Sequence, residues 1–137
     1  MANTFRLRIV TPEKVVFDEE VEMVIVPGSQ GELGVLANHT ALVTSLKPGV
    51  LKVRRENNNM FEKLSCTGGF LHVLSNDVQV LADASEFAAE IDVQRALRAR
   101  QRAEERLLSG HDVDILRAEL ALERALARLK TVDYQEG

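Results

Sequence analysis

Residues 91–107 read "IDVQRALRARQRAEERL", and this stretch decides how the chain divides. It consists mostly of strong helix formers and contains five arginines. The residues before it follow strand-like patterns, whereas the residues after it continue with helix formers. The whole chain is nevertheless acidic, with a formal net charge of −4 over 137 residues. The arginines are therefore a local feature, and the charge argues against general binding to nucleic acid.

The half of the chain before this stretch predicts many short strands. Apolar and charged residues alternate at Phe5–Ile9, which is the pattern of a half-buried strand, and Val21–Ile25 repeats it less strictly. Short apolar runs continue as far as residue 82, and turn-forming residues separate them, for example Lys47-Pro48-Gly49 and Gly68-Gly69. Many short strands at close spacing predict a β-sandwich or a β-barrel.

The remainder of the chain predicts two helices joined by a short break. Asp92 is placed to cap the start of the first helix, and Gly110 is placed to end it. Asp112 is the predicted N-cap of the second helix. Because only about four residues separate the helices, we expect an antiparallel hairpin.

The two helices share one internal pattern, in which an apolar seam has arginines beside it at spacings of seven and then four residues. These spacings keep each set on one helix face. The seams are Ala96, Ala103 and Leu107 in the first helix and Ala118, Ala125 and Leu129 in the second. The arginines are Arg95, Arg102 and Arg106 in the first helix and Arg117, Arg124 and Arg128 in the second.

Antiparallel packing predicts that both arginine stripes lie on the same side of the hairpin. Arg124 and Arg128 should then lie near Arg95 and Asp92. The bland interpretation is a solvated charged face, since arginine is a good helix former and like charges four residues apart cost only about 0.2–0.5 kcal/mol. The sharper one is a site for a polyanion, either a triphosphate or an acidic protein surface. Alanine buries little area, so the seams predict weak adhesion between the helices.

The sequence contains no catalytic constellation. Its three histidines (His39, His72 and His111) lack the spacing of metal ligands. The single cysteine, Cys66, lies in a strand pattern and is predicted to be a buried thiol. No apolar run is long enough to span a membrane, and the first residues lack a signal-peptide pattern. An enzyme that hydrolyses nucleotides is disfavoured, because no general base or metal cluster accompanies the arginines.

Nearly the whole chain resembles the epsilon subunit of F-type ATP synthase. The resemblance rests on "VTPEKVVFDEEVEMVIVPGSQGELGVLANHTALVTSLKPGVLKV", on "GGFLHVLSNDVQVLADAS" and on "EIDVQRA" with "ERALARL". One departure is Thr40-Ala41 after His39, where the family usually has a proline second. The resemblance implies an α+β fold in two parts: an all-β sandwich of antiparallel strands over 1–84 and a regulatory antiparallel two-helix hairpin over 85–137.

The resemblance also implies a ligand, because bacillus-like members bind ATP on the folded hairpin through an Ile/Leu-Asp-x-x-Arg-Ala motif. Here the motif is Ile91-Asp92-Val93-Gln94-Arg95-Ala96. Ile91 and Asp92 would contact the adenine and Glu86 the ribose. Arg95, Arg102, Arg124 and Arg128 would contact the phosphates. ATP is then a regulatory ligand, and whether Mg²⁺ accompanies it stays open.

Further implications concern partners and location. The family is non-catalytic, lies with the gamma subunit against the c-ring at the cytoplasmic face of the cell membrane, and rotates together with both. It couples ion flow to ATP synthesis. The sandwich end that faces the ring would include Glu32 and His39. An extended hairpin would reach the alpha/beta catalytic head through Arg106 and Arg117 and inhibit ATP hydrolysis. The alternative is a free-standing adaptor whose arginine-rich hairpin docks an acidic protein.

Overall fold

Strands occupy the first part of the chain and helices the second, as the change of pattern after residue 82 predicts. The computed structural model describes residues 3–110 and 114–135. The strands are β1 (Phe5–Val10), β2 (Val15–Val21), β3 (Met23–Gly28), β4 (Gly31–Leu36), β5 (Leu42–Arg54), β6 (Glu62–Leu74) and β7 (Asp77–Ala82). A 3₁₀ turn at Ala88–Glu90 precedes the helices α1 (Val93–Ser109) and α2 (Ile115–Thr131).

The seven strands form a β-sandwich from one hydrogen-bonded sheet in the order β2-β1-β7-β6-β5-β3-β4. Neighbouring strands are antiparallel in every pair except β1 with β7, which is parallel. This pair differs from the predicted antiparallel pattern because it joins the first strand to the last. No hairpin connects those two strands, so no tight turn sets their relative direction.

The two longest strands correct two predicted turns. Lys47-Pro48-Gly49 and Gly68-Gly69 do not end strands but lie inside β5 and β6. The two segments face each other, since Leu46 pairs with Gly69 and Pro48 with Thr67 in an unbroken register. Gly68 and Gly69 both have positive φ, +115° and +136°, which disfavours any other residue there. Both segments therefore lie inside one continuous strand pair and end neither strand.

The core of the sandwich consists of large apolar side chains from both layers. Leu7, Ile9, Leu51 and Leu71 are completely buried. Cys66 is also completely buried, which confirms the predicted strand thiol, and burial raises its pKa to about 11. The thiol is therefore protonated at neutral pH and is a packing residue.

The predicted helix ends are confirmed at two of three positions. The Asp92 carboxylate accepts a hydrogen bond from the Arg95 backbone N–H at 3.0 Å, which caps α1. Gly110 ends α1 in the left-handed conformation, with φ of +63°. The cap of α2 is Asp114, whose carboxylate accepts from the Arg117 N–H at 3.1 Å. Asp112, the predicted cap, lies outside the described residues, as does His111.

The hairpin lies against the sandwich mainly through its second helix. The α2 helix packs on β5 and β6, and α1 packs on α2. The predicted seams are confirmed, because all their members are buried except Leu107, which is half-buried. Two further residues of α2, Ala127 and Thr131, are buried as well. Beyond the end of α2, Asp133 accepts hydrogen bonds at 3.0 Å from the Lys63 ammonium on β6.

Candidate anion-binding cleft

A cleft of about 610 Å³ lies between the sandwich and the hairpin. The turn between β1 and β2 (residues 11–14) and the segment that leads to the helices (residues 83–86) form its sandwich side. The start of α1 and the end of α2 form the remainder. Its volume lies within the range of small-molecule sites.

The cleft brings together six of the eight residues predicted to bind ATP. They are Glu86, Asp92, Arg95, Ala96, Arg102 and Arg128. Ile91 and Arg124 are not among the residues that line it; Ile91 is buried and Arg124 is half-buried. The structure therefore places arginines of both helices at one cavity, as the antiparallel arrangement predicts.

Of the arginines that line the cleft, the two on α1 are more accessible than Arg128 on α2. Arg95 and Arg102 are exposed and lie two helical turns apart on one face. Ala96 and Ala99 lie beside them, and their small side chains leave open space on the helix surface between the two arginines. Such a surface lets an anion approach both guanidinium groups at once, which suits a chain of phosphates.

Arg128 on α2 already has a partner. Its Nε donates to the Glu86 Oε1 at 3.0 Å, and both side chains are partly exposed. The pair ties α2 to the segment before the hairpin. A phosphate that reaches Arg128 must share this guanidinium with Glu86 or displace the carboxylate.

The cleft contains more acidic groups than the arginine stripes predict. Four lining cations face four lining anions, so the formal charges balance. The cations are Lys14, Arg95, Arg102 and Arg128, and the anions are Glu13, Asp83, Glu86 and Asp92. The sequence pattern missed Glu13, Lys14 and Asp83 because they lie on the sandwich side and share no helical spacing with the hairpin.

The remaining predicted contact residues lie away from the cleft. Arg106 and Arg117 are exposed, in the last turn of α1 and at the start of α2. Glu32 on β4 is exposed, with its carboxylate 3.6 Å from the Lys52 ammonium. His39 follows β4, is half-buried, and has its Nδ1 2.7 Å from the Thr40 carbonyl oxygen.

Metal-binding clusters and membrane-spanning helices are both absent from the described residues. Within residues 3–110 and 114–135, no group of three or more His, Cys, Asp or Glu side chains is placed to hold a metal ion. In the same residues, neither helix combines the length and apolarity needed to cross a membrane. Among the described residues, the cleft is the feature that best fits a ligand, and its lysine and three arginines are groups that can bind an anion.

Comparison with known protein families gives two adjoining matches. Residues 4–88 match the beta-sandwich domain of the delta/epsilon chain of ATP synthase. Residues 89–133 match the long alpha-helix domain of the same chain. Together the two matches include nearly every described residue.

Individual relatives are similar over the same length. The ATP synthase epsilon chain of Desulforamulus reducens is 51% identical over 134 residues, covering 97% of this chain and 100% of the relative. That of Desulfitobacterium hafniense strain Y51 is 47% identical, covering 94% and 96%. Among solved structures, a chain of the Euglena gracilis mitochondrial ATP synthase (OSCP/F1/c-ring) superimposes with a TM-score of 0.83 at 25% identity, covering 96% of this chain and 82% of that one.

Proposed function

This chain belongs to the delta/epsilon chains of ATP synthase, as an epsilon chain, and from that membership we propose that ATP, bound in the cleft, regulates it. It is a non-catalytic subunit of ATP synthase and associates with the rotor of that complex, peripheral to the membrane. Bound ATP holds the hairpin against the sandwich, and the hairpin inhibits ATP hydrolysis when it is released. Family membership favours this function over that of a free-standing adaptor.

The observation that carries the proposal is the position of arginines from both helices at one cavity. Arg95 and Arg102 belong to α1, and Arg128 belongs to α2. A triphosphate that contacts all three binds only when the hairpin is closed. A ligand that binds one conformation stabilises it by its differential affinity for that conformation. At ten times its dissociation constant, ATP therefore favours the closed hairpin by about 1.4 kcal/mol.

The Glu86–Arg128 ion pair characterises the proposed ligand-free state. In the absence of phosphate, the pair holds α2 to the segment before the hairpin. When ATP binds, Arg128 turns toward the phosphates and Glu86 becomes free to accept a ribose hydroxyl. ADP offers one phosphate fewer and should bind more weakly.

The partners follow from the resemblance and are proposed with the ligand. The sandwich binds the gamma subunit and meets the c-ring near Glu32 and His39, which couples ion flow to ATP synthesis. The released hairpin reaches the alpha/beta head with Arg106 and Arg117. The exposure of both arginines is compatible with such a contact. We place the complex at the cytoplasmic face of the cell membrane.

The direct test is calorimetric titration of the whole chain with ATP and with ADP. We expect one ATP per chain, weaker binding of ADP, and a loss of affinity of tenfold or more for Arg95→Ala with Arg102→Ala, because two charge-assisted contacts are removed. Arg98→Ala is the matched control, since Arg98 is exposed on the same helix and does not line the cleft. Equal losses in the control and the double variant would contradict the site.

A second experiment tests regulation. A pair of fluorescent labels at Ser109 and at Met60 on the sandwich should report a shorter distance as ATP is added. The assembled enzyme should hydrolyse ATP faster when Arg106 and Arg117 are both replaced by alanine. A distance that does not respond to ATP would refute the ATP-controlled hairpin, and unchanged hydrolysis would refute the contact with the head.

A further inference from the structure

The turn between β1 and β2 presents a cation to the cleft. Lys14 lines the cavity, and its ammonium forms no ion pair or hydrogen bond with any described residue. The turn is fixed by its own backbone, because the Thr11 N–H donates to the Lys14 carbonyl at 2.9 Å and the Lys14 N–H donates to the Thr11 Oγ1 at 3.3 Å. The Lys14 ammonium can therefore bind a ligand without giving up a contact with another described residue.

The segment before the hairpin presents a second unused group. Ser85 lines the cleft, is only 6% exposed, and its Oγ has no hydrogen-bond partner among residues 3–110 and 114–135. Its position is fixed on both sides, since the Thr67 N–H donates to the Ala84 carbonyl and the Glu86 N–H donates to the Ser65 Oγ. A buried hydroxyl without a partner is uncommon in proteins, and a ligand that reaches it removes that deficit.

We propose that the sandwich forms one wall of the ligand site, where Lys14 binds a phosphate group together with the α1 arginines and the Ser85 hydroxyl hydrogen-bonds the same ligand. The inference rests on the proposed function. It adds that the nucleotide joins the hairpin to the sandwich as well as joining the two helices. The Ser85 Oγ is covered in this structure, so a local shift of the residues that cover it precedes its contact with the ligand.

The wall is tested by titrating ATP and ADP into Lys14→Gln, with Lys47→Gln as the matched control. Lys47 is exposed, does not line the cleft and carries the same charge. We expect Lys14→Gln to bind ATP about three- to tenfold more weakly, with a smaller loss for ADP and a reduced dependence on salt. Lys47→Gln should bind like the wild type. Equal affinities in Lys14→Gln and the wild type would overturn the role of Lys14.

Ser85→Ala is tested in two ways. Loss of a hydrogen bond to the ligand should weaken ATP binding about three- to tenfold. The denaturation midpoint of the variant without nucleotide should stay the same or rise, because no protein partner is lost. Unchanged affinity with a lower midpoint would make Ser85 a structural residue and remove it from the site.

The two proposals fail in different ways. If the wild-type chain binds no ATP, the proposed function fails and this inference fails with it. If the wild type and Lys47→Gln bind ATP and both Lys14→Gln and Ser85→Ala bind it equally well, only the sandwich wall is refuted. Weaker binding by Lys14→Gln and Ser85→Ala, with the control unchanged, supports both.

Discussion

The sandwich and the hairpin are stabilised by very different amounts of apolar contact. The sandwich completely buries large side chains such as Ile9 and Leu71. Most of the buried residues of the hairpin are alanines, for example Ala103 and Ala118. Burying a leucine or isoleucine side chain contributes about 1.5–3 kcal/mol, whereas a methyl group contributes less than 1 kcal/mol. The sandwich should therefore be stable by itself, and the hairpin should depend on what fastens it.

Among residues 3–110 and 114–135, two ion pairs between the hairpin and the rest of the chain and one face of α2 help to fasten the hairpin. Arg128 pairs with Glu86, and Asp133 pairs with Lys63. Leu129 is the largest side chain of α2 that is buried. Exposed and partly exposed ion pairs contribute roughly 0–1 kcal/mol each, so these two pairs add only a small free energy to the closed position. A bound ligand can change a balance of this size.

The largest expected effect is on the sandwich, from Gly69→Ala. A Cβ at this position would lie 1.9 Å from the Leu81 carbonyl oxygen, and φ is +136°. We expect the free energy of unfolding to fall by about 4 kcal/mol or more, as measured by urea denaturation. Gly31→Ala is the control, because its φ is also positive, at +127°, but nothing lies within 4 Å. Similar losses at both sites would show that strain in φ, and not the contact, decides the effect.

The next effect separates the two regions directly. Leu71→Ala should lower the free energy of unfolding of the sandwich by about 2–5 kcal/mol, because it leaves a cavity in the core. Leu129→Ala should leave sandwich unfolding nearly unchanged and speed hydrogen exchange in α1 and α2. Exchange measured residue by residue distinguishes the two patterns. If Leu129→Ala speeds exchange equally in β1 and β7, the regions unfold as one unit and the comparison is wrong.

Alkaline pH gives a somewhat smaller effect, confined to the sandwich. Burial raises the pKa of the Cys66 thiol to about 11, above the ordinary 9.0 of an exposed cysteine, so the folded state favours the protonated thiol. Its contribution is complete below pH 9 and is lost as the pH rises toward 11, by about 2 kcal/mol. Cys66→Ala should lack this component of the pH dependence. Identical alkaline slopes for the variant and the wild type would show that other groups cause the loss.

The smallest expected effect is on one attachment of the hairpin. Lys63→Ala removes the partner of Asp133 and should cost about 0.5 kcal/mol, since Lys63 is partly exposed and Asp133 is largely exposed. The effect should appear as faster exchange at the end of α2 and should diminish in high salt. Lys130→Ala is the control, because Lys130 is exposed in the last turn of α2. A loss that is the same at all salt concentrations would indicate packing by the lysine stem.

Local signals predicted the helices better than the long strands. Asp92 and Gly110 mark the ends of α1 because capping depends on neighbours three or four residues away. The segments Lys47-Pro48-Gly49 and Gly68-Gly69 suggest turns, yet each lies in a strand opposite the other. Their pairing partner, about twenty residues away, decides the conformation, and no local pattern contains that information.

The candidate site shows the same limit: local spacing predicts its residues on the helices but not those on the sandwich. Helical spacing predicts that Arg95, Arg102 and Arg128 lie on one side of the hairpin, and all three line the cleft. Lys14 and Ser85 could not be found this way, because the turn and the segment that carry them meet the hairpin only in the folded chain. The acids that balance the arginine charge were missed for the same reason.

The layered position of α2 has a consequence for how the hairpin can move. Since α2 lies on β5 and β6 while α1 packs mainly on α2, α1 makes few direct contacts with the sandwich. Peeling α2 away removes the support of both helices, whereas lifting α1 alone exposes the Ala96 and Ala103 seam for no gain. Intermediate positions are thus disfavoured, and the hairpin should switch between two states. Its release should be cooperative and should respond sharply to any change that weakens the packing of α2.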